Sequence, residues 1–183
     1  MTFRPLSIPD VLLFEPRTFG DDRGYFYESY NKREFDAAVG RDVVFVQDNR
    51  SHSAQGVLRG LHYQVVRPQG KFVSVTQGSV FDVAVDIRTG SPTFGKWVGV
   101  VLSAENRYSL WIPEGFAHGF YVLSPRADFQ YKVTDFWFGE HERCIRFDDP
   151  EIGISWSNDA VAFSPTLSVK DRVGQFFRDA EYL

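Results

Sequence analysis

An all-β fold, a sandwich or barrel, is what this sequence predicts, and three observations predict it. Strand-like alternation fills the middle of the chain. Turn clusters such as TGSPTFG (89–95) and AENR (104–107) separate those stretches at roughly ten-residue spacing, the rhythm of sandwiches and barrels. Helical signal is confined to two short segments. Phe is abundant at 18 residues, which suits a strand-rich interior or an aromatic-lined cavity.

The elements follow in order. NKREFDAAVG (31–40) has an Asn cap candidate and Gly40 as a stop, and reads as one short helix. GVLRGLHYQ (56–64) is apolar enough for a strand. KFVSVTQ (71–77) sets Phe72, Ser74 and Thr76 against Val73 and Val75. After Gly78-Ser79, the alternation resumes with Phe81, Val83, Val85 and Ile87 on one face and Asp82, Ala84 and Asp86 on the other. These are expected to be two half-buried strands across a glycine turn. KWVGVVLSA (96–104) and YSLWIPE (108–114) continue the pattern, and DFQYKVTDFWF (128–138) alternates Phe129, Tyr131 and Val133 with Gln130, Lys132 and Thr134. KDRVGQFFRDAEYL (170–183) reads as a second helix. No internal repeat, low-complexity stretch or Pro/Ser linker divides the chain, so residues 1–183 form one expected domain.

Bulk properties narrow the function. The 20 basic and 24 acidic side chains give a net charge of −4 without a long basic run, so no nucleic-acid partner is expected. Cys144 is the sole cysteine, which excludes an intrachain disulfide and fits a reducing compartment. Asp10 and Glu15 interrupt the apolar residues of the N-terminus, and no run approaches 18 uninterrupted apolar residues. The expectation is a soluble cytoplasmic protein with no membrane partner.

Chemistry concentrates around two of the four histidines. GVLRGLHYQ holds Arg59 and His62 three residues apart, which regular alternation would send to opposite faces. Gly60 between them would permit a bulge or bend there. Pro113, Gly115 and His118 in PEGFAH form a P-x-G-x-x-H pattern that resembles the second motif of cupin barrels. The first cupin motif supplies His-x-His and a nearby Glu, whereas this chain reads His62-Tyr63-Gln64 with no Glu until Glu105. Two histidines without a carboxylate fall short of a three-ligand catalytic metal site, so no metal is expected. A partly desolvated His62 is then a candidate general base, or else a hydrogen-bonded core histidine. Lys71 reads as a strand-edge charge or a functional cation, and Tyr131 as core or acid.

Together FEPRTFGDDRGYFYESYN (14–31), GVLRGLHYQ, QGKFVSVTQGSVFDVAVDIR (69–88), SPTFGKWVGVVLSAEN (91–106) and LWIPEGFAHGF (110–120) resemble the dTDP-4-dehydrorhamnose 3,5-epimerase family. The resemblance runs from about Leu12 to Lys170-Asp171. It implies a cupin-like jelly roll, a homodimer and no cofactor. It also implies double epimerisation of dTDP-4-dehydro-6-deoxy-D-glucose, at carbons 3 and 5, on the route to dTDP-L-rhamnose.

Inverting a carbon beside a ketone needs a base, a charge near the developing enolate oxygen and an acid on the opposite face. The resemblance assigns these to His62, Lys71 and Tyr131, with Asp171 pairing the base. It places Arg23, Glu28, Gln47, Asp48, Asn49, Arg59, His118, Glu142 and Lys170 on substrate-binding positions. Phe19 and Phe26 would contribute from an N-terminal arm (about residues 1–30) that reaches a neighbouring subunit, and residues from about 172 on form a tail.

Two features depart from the family pattern. The 63–70 loop is about one residue short, and Trp137 stands where a tyrosine usually stacks on thymine, a task tryptophan also performs. The alternatives are an epimerase of carbon 3 alone, a catalytically silent sugar-nucleotide-binding barrel, or a metal-dependent cupin oxygenase.

Overall fold

The structure is a computed structural model, and it describes residues 1–156 and 163–182. In chain order the strands are β1 (Thr2–Pro5), β2 (Leu12–Glu15), β3 (Thr18–Asp21), β4 (Gly24–Tyr27), β5 (Gln47–Ala54), β6 (Leu58–Gln64), β7 (Lys71–Gln77), β8 (Ser79–Asp86), β9 (Trp97–Ser103), β10 (Ser109–Ile112), β11 (Phe116–Val122), β12 (Arg126–Val133) and β13 (Glu142–Cys144). Helices α1 (Lys32–Val39) and α2 (Val169–Arg172) complete the set, with two 3₁₀ turns.

The strands form two facing antiparallel sheets, the sandwich that the strand pattern predicts and the cupin-like jelly roll that the resemblance implies. One has the order β1-β2-β10-β7-β12-β5 and the other β13-β6-β11-β8-β9, while β3 and β4 form a separate hairpin. Between the sheets lies a core of Leu13, Val73, Val75, Val80, Ala84, Leu110, Phe116, Phe120 and Phe129, among others.

The Gly78 turn differs from the expected hairpin. β7 belongs to the six-stranded sheet and β8 to the five-stranded one, so the turn carries the chain across the sandwich. Gly78 has φ 74°, and a Cβ there would sit 2.0 Å from the Arg126 carbonyl oxygen, so only glycine fits.

Nor is β8 half-buried. Its apolar row joins a second core of Leu58, Leu61, Val83, Val85, Ile87 and Tyr121, which Ile145, Ile152, Trp156 and Phe177 from the C-terminal segment cover. Its acidic row faces between the sheets, where Asp82 and Asp86 are fully buried. Alternation marks two faces but cannot say that both will be covered.

Helix α1 matches its prediction. The Asn31 side chain accepts the Glu34 N–H, and Gly40 closes the helix at φ 79°. Phe35 packs against Phe14, Phe72 and Trp111, closing the outside of the six-stranded sheet at one end.

The expected C-terminal helix over 170–183 is corrected. Only Val169–Arg172 is α-helical, capped by Ser168, and Phe177–Asp179 forms a 3₁₀ turn. Phe177 plugs the second core and the Phe177 N–H is held by Asp149, which outweighs the helical propensity of this stretch. No helix among the described residues is long and apolar enough to cross a membrane.

Candidate active site

The pairing of β6 with β11 slips between His118↔His62 and Phe120↔Arg59, so three residues on β6 span two on β11. This bulge sits at Gly60, whose φ is 120° and whose missing Cβ leaves room for the Gly119 Cα and His118 carbonyl, each 2.6 Å from where a Cβ would lie. The consequence is one that Gly60 permits. Arg59 and His62 line the same cavity, while Leu61 turns into the second core.

That cavity, about 230 Å³, opens between the sheets. From the five-stranded sheet come Arg59, His62, His118 and Glu142; from the six-stranded sheet come Ser51, Lys71, Phe129 and Tyr131. Trp137 and Lys170 stand at its rim, both exposed. Phe120 and Phe129 stack at 4.2 Å between centroids and form an apolar wall. His62 and Tyr131 therefore reach one space from opposite walls.

Asp171 stands behind His62. His62 Nε2 lies 2.6 Å from Asp171 Oδ1. The Ser168 hydroxyl donates to Oδ2 at 2.7 Å, and the Gly60 N–H reaches Oδ1 at 3.4 Å. Burial raises the Asp171 pKa, but the bonds from His62 and Ser168 outweigh it and hold the carboxyl below its usual range. An ionised carboxylate only accepts, so His62 Nε2 carries the proton and Nδ1 keeps the lone pair. Burial also lowers the His62 pKa, against the opposing pull of Asp171, so the imidazole is neutral at pH 7.

Lys71 is buried, not the solvated strand-edge charge that its position allowed. Its Nζ donates to the His62 carbonyl at 3.3 Å, and burial pulls its pKa down to about 8 against the opposing charges of Glu142 and Asp82. Tyr131 is pushed up, first by burial and then by Glu142, so its phenol stays protonated. His118 Nε2 lies 2.9 Å from Asp82 Oδ2, and Asp82 Oδ1 has no partner among the described residues. Glu142 and Lys170 pair at 2.7 Å.

Not every residue singled out in the sequence reaches this space. Gln47 and Asn49 bond each other at 2.9 Å, and Gln47 accepts the Trp137 N–H at 3.2 Å, which ties them to the rim. Asp48 points to the other face of β5, where Lys132 holds it at 3.0 Å beside a separate cavity. Phe19, Arg23 and Phe26 lie on the β3–β4 hairpin, with Arg23 paired to Asp21, and Glu28 follows exposed. None of these four lines the His62 cavity within this chain.

Sequence reasoning passed over Asp82 and Ser168. Ser168 was findable as a helix cap three residues before Asp171. Asp82 was not, because alternation alone does not reveal which face turns inward.

Comparison with known proteins agrees with this fold. The sequence profile described as dTDP-4-dehydrorhamnose 3,5-epimerase matches residues 5–179. The dTDP-4-dehydrorhamnose 3,5-epimerase of Pseudomonas aeruginosa is 64% identical over 176 residues, 96% of each chain. That of Shigella flexneri is 60% identical over 177 residues, again 96% of each. The crystal structure of the Legionella pneumophila dTDP-6-deoxy-D-glucose-3,5-epimerase, in complex with dTDP-4-keto-L-rhamnose, superposes with a TM-score of 0.94 at 49% identity, covering 98% of this chain and 94% of that one. The chain thus belongs to the dTDP-4-dehydrorhamnose 3,5-epimerase family of isomerases.

Proposed function

We propose that this cavity epimerises dTDP-4-dehydro-6-deoxyglucose at carbons 3 and 5, with His62 as base and Tyr131 as acid. The observation that carries the reading is their placement on opposite sheets facing one space. Inversion breaks a C–H bond on one face of the sugar and forms one on the other, and a single-sided pair could only return the proton where it came from.

In this reading His62 Nδ1 takes the proton beside the 4-ketone and the C–H electrons move onto the carbonyl oxygen. Asp171 holds the tautomer and stabilises the imidazolium. Lys71, charged below about pH 8, faces the enolate oxygen. Tyr131 delivers the proton to the opposite face, and solvent resets both groups. Arg59 faces the diphosphate, where a guanidinium fits two oxygens at once. Trp137 stacks on the base, with Gln47 and Asn49 fixing its backbone. His118, Glu142 and Lys170 contact the sugar and phosphates.

Arg23, Glu28, Phe19 and Phe26 enter this reading through a homodimer, in which the β3–β4 hairpin reaches the site of a second copy. Phe19, Tyr25 and Phe26 are 52–71% exposed on that hairpin, an apolar display that association would cover. Asp48 faces away from the cavity within its own chain, so a contact with substrate also needs the second copy. The single free thiol fits a cytoplasmic setting.

Deuterium wash-in tests the function. With dTDP-4-dehydro-6-deoxyglucose in heavy water, label at both carbon 3 and carbon 5 is expected, and His62→Asn should abolish it. Label at carbon 3 alone would instead assign a single epimerase. No label, with nucleotide still bound, would leave a binding barrel.

A further inference from the structure

Cys144 stands beside the catalytic pair without lining the substrate cavity. It pairs with His62 in the β13–β6 register, and its Sγ lies 3.9 Å from Asp171 Oδ1. One donor atom from each of His62, Cys144 and Asp171 lies within 4.8 Å of the other two. Imidazole, thiolate and carboxylate together are a zinc donor set. Tetrahedral zinc, with bonds of about 2.0–2.3 Å, spaces its ligands roughly 3.3–3.8 Å apart. The thiol, at 3.9 Å from Asp171, lies just outside that spacing, and His62 and Asp171, now 2.6 Å apart, need part by only about 1 Å once the proton between them is gone. Three elements (β6, β13 and the α2 turn) supply the donors, so the fold positions them without a shared loop.

We propose that His62, Cys144 and Asp171 form an inhibitory site for a thiophilic divalent cation, Zn²⁺ above all, behind the base. Zinc takes the place of the proton on His62 Nε2, that proton moves through solvent to Nδ1, and the Cys144 thiol proton is lost to solvent. A neutral imidazole metallated at Nε2 carries its one proton on Nδ1. The lone pair that faces the sugar is thereby lost, although nothing is added to the substrate's side of the ring. The cation is a switch of tautomer, not a plug.

This follows from taking His62 Nδ1 as the base, so metal binding and inhibition must be read separately. Co²⁺ stands in for Zn²⁺ and reports thiolate ligation as a near-ultraviolet charge-transfer band. Purified protein titrated with Co²⁺ should develop that band at one equivalent, and Cys144→Ala and Cys144→Ser should not. Under Zn²⁺, kcat should fall roughly tenfold or more with KM unchanged, the signature of a lost transition-state interaction. Chelator should restore it.

Without metal, both Cys144 variants should turn over like the parent and resist Zn²⁺. Equal inhibition of parent and variants, or a rise in KM, would place the metal elsewhere and overturn the proposal, as would the absence of a cobalt–thiolate band. A band without loss of turnover would overturn the inhibitory role and count against His62 Nδ1 as base.

Discussion

Two aspartates four residues apart on one face of β8 meet opposite fates. Asp86 and Asp82 are both fully buried between the sheets. Asp86 receives Arg88 on both oxygens at 2.7 and 2.9 Å, Ser91 at 2.5 Å and Thr93 at 2.6 Å. Although burial alone would raise it, these donors hold its pKa at about 2. Asp82 has one partner in His118 and an oxygen with none among the described residues.

A saturated carboxylate ties down a loop, here the 88–93 turn, and leaves nothing for a ligand. An unsaturated one, whose charge raises the pKa of a cavity-lining lysine, keeps electrostatic capacity free for chemistry. The Asp171–His62 pair lies between these extremes. One side of the carboxylate is fixed by Ser168 and the other by His62, which in the proposed function leaves the far nitrogen of the histidine for the substrate.

This contrast can be broken or sharpened by substitution, and the largest effect is expected at the base. His62→Asn should lower turnover by ~10²–10⁴-fold, the usual contribution of a positioned acid–base group, with the melting temperature little changed. Wash-in rates and a thermal melt read the two quantities separately.

Asp86→Ala should do the reverse. It strands Arg88 and two hydroxyls, at a cost of about 3 kcal/mol, the lower end for a broken buried pair, because Arg88 can turn toward water. Urea unfolding checks this, and the molecules that remain folded should keep their activity.

A third variant, Asp82→Asn, should be gentle on stability and visible in the pH profile. The parent's activity should fall on the alkaline side near pH 8, as Lys71 loses its charge. Removing the Asp82 charge takes away one influence that raises Lys71, so this limb should move to lower pH. An unmoved limb would detach Lys71 from the profile.

The smallest effect belongs to Ser168. Ser168→Ala loses a helix cap worth ~1 kcal/mol and one of the donors to Asp171. The carboxylate then concentrates its charge on His62, which favours the imidazolium, so the acid limb should move to higher pH. Ser168→Thr should restore both properties.

Much of this was legible in the chain itself. Alternating stretches located the strands, Asn31 and Gly40 bounded α1, and Gly60 betrayed the bulge, because these depend on neighbours within a few residues. Local spacing also brought out Arg59 and His62, and resemblance added Lys71, Tyr131 and Asp171. Other features were not legible. The Gly78 turn looks like a hairpin until the partners of β7 and β8 are known, since a glycine permits a turn without choosing the sheet that follows.

The β class and the short helix were set by the sequence alone, through side-chain pattern and short-range backbone preference, while the groups proposed to react came from the resemblance to a family. The tertiary structure alone decided which face of β8 is interior, that residue 171 stands 2.6 Å from residue 62, and that Asp48 turns away from the cavity. Those outcomes depend on contacts between residues tens of positions apart, where the burial of the whole outweighs what any local pattern prefers.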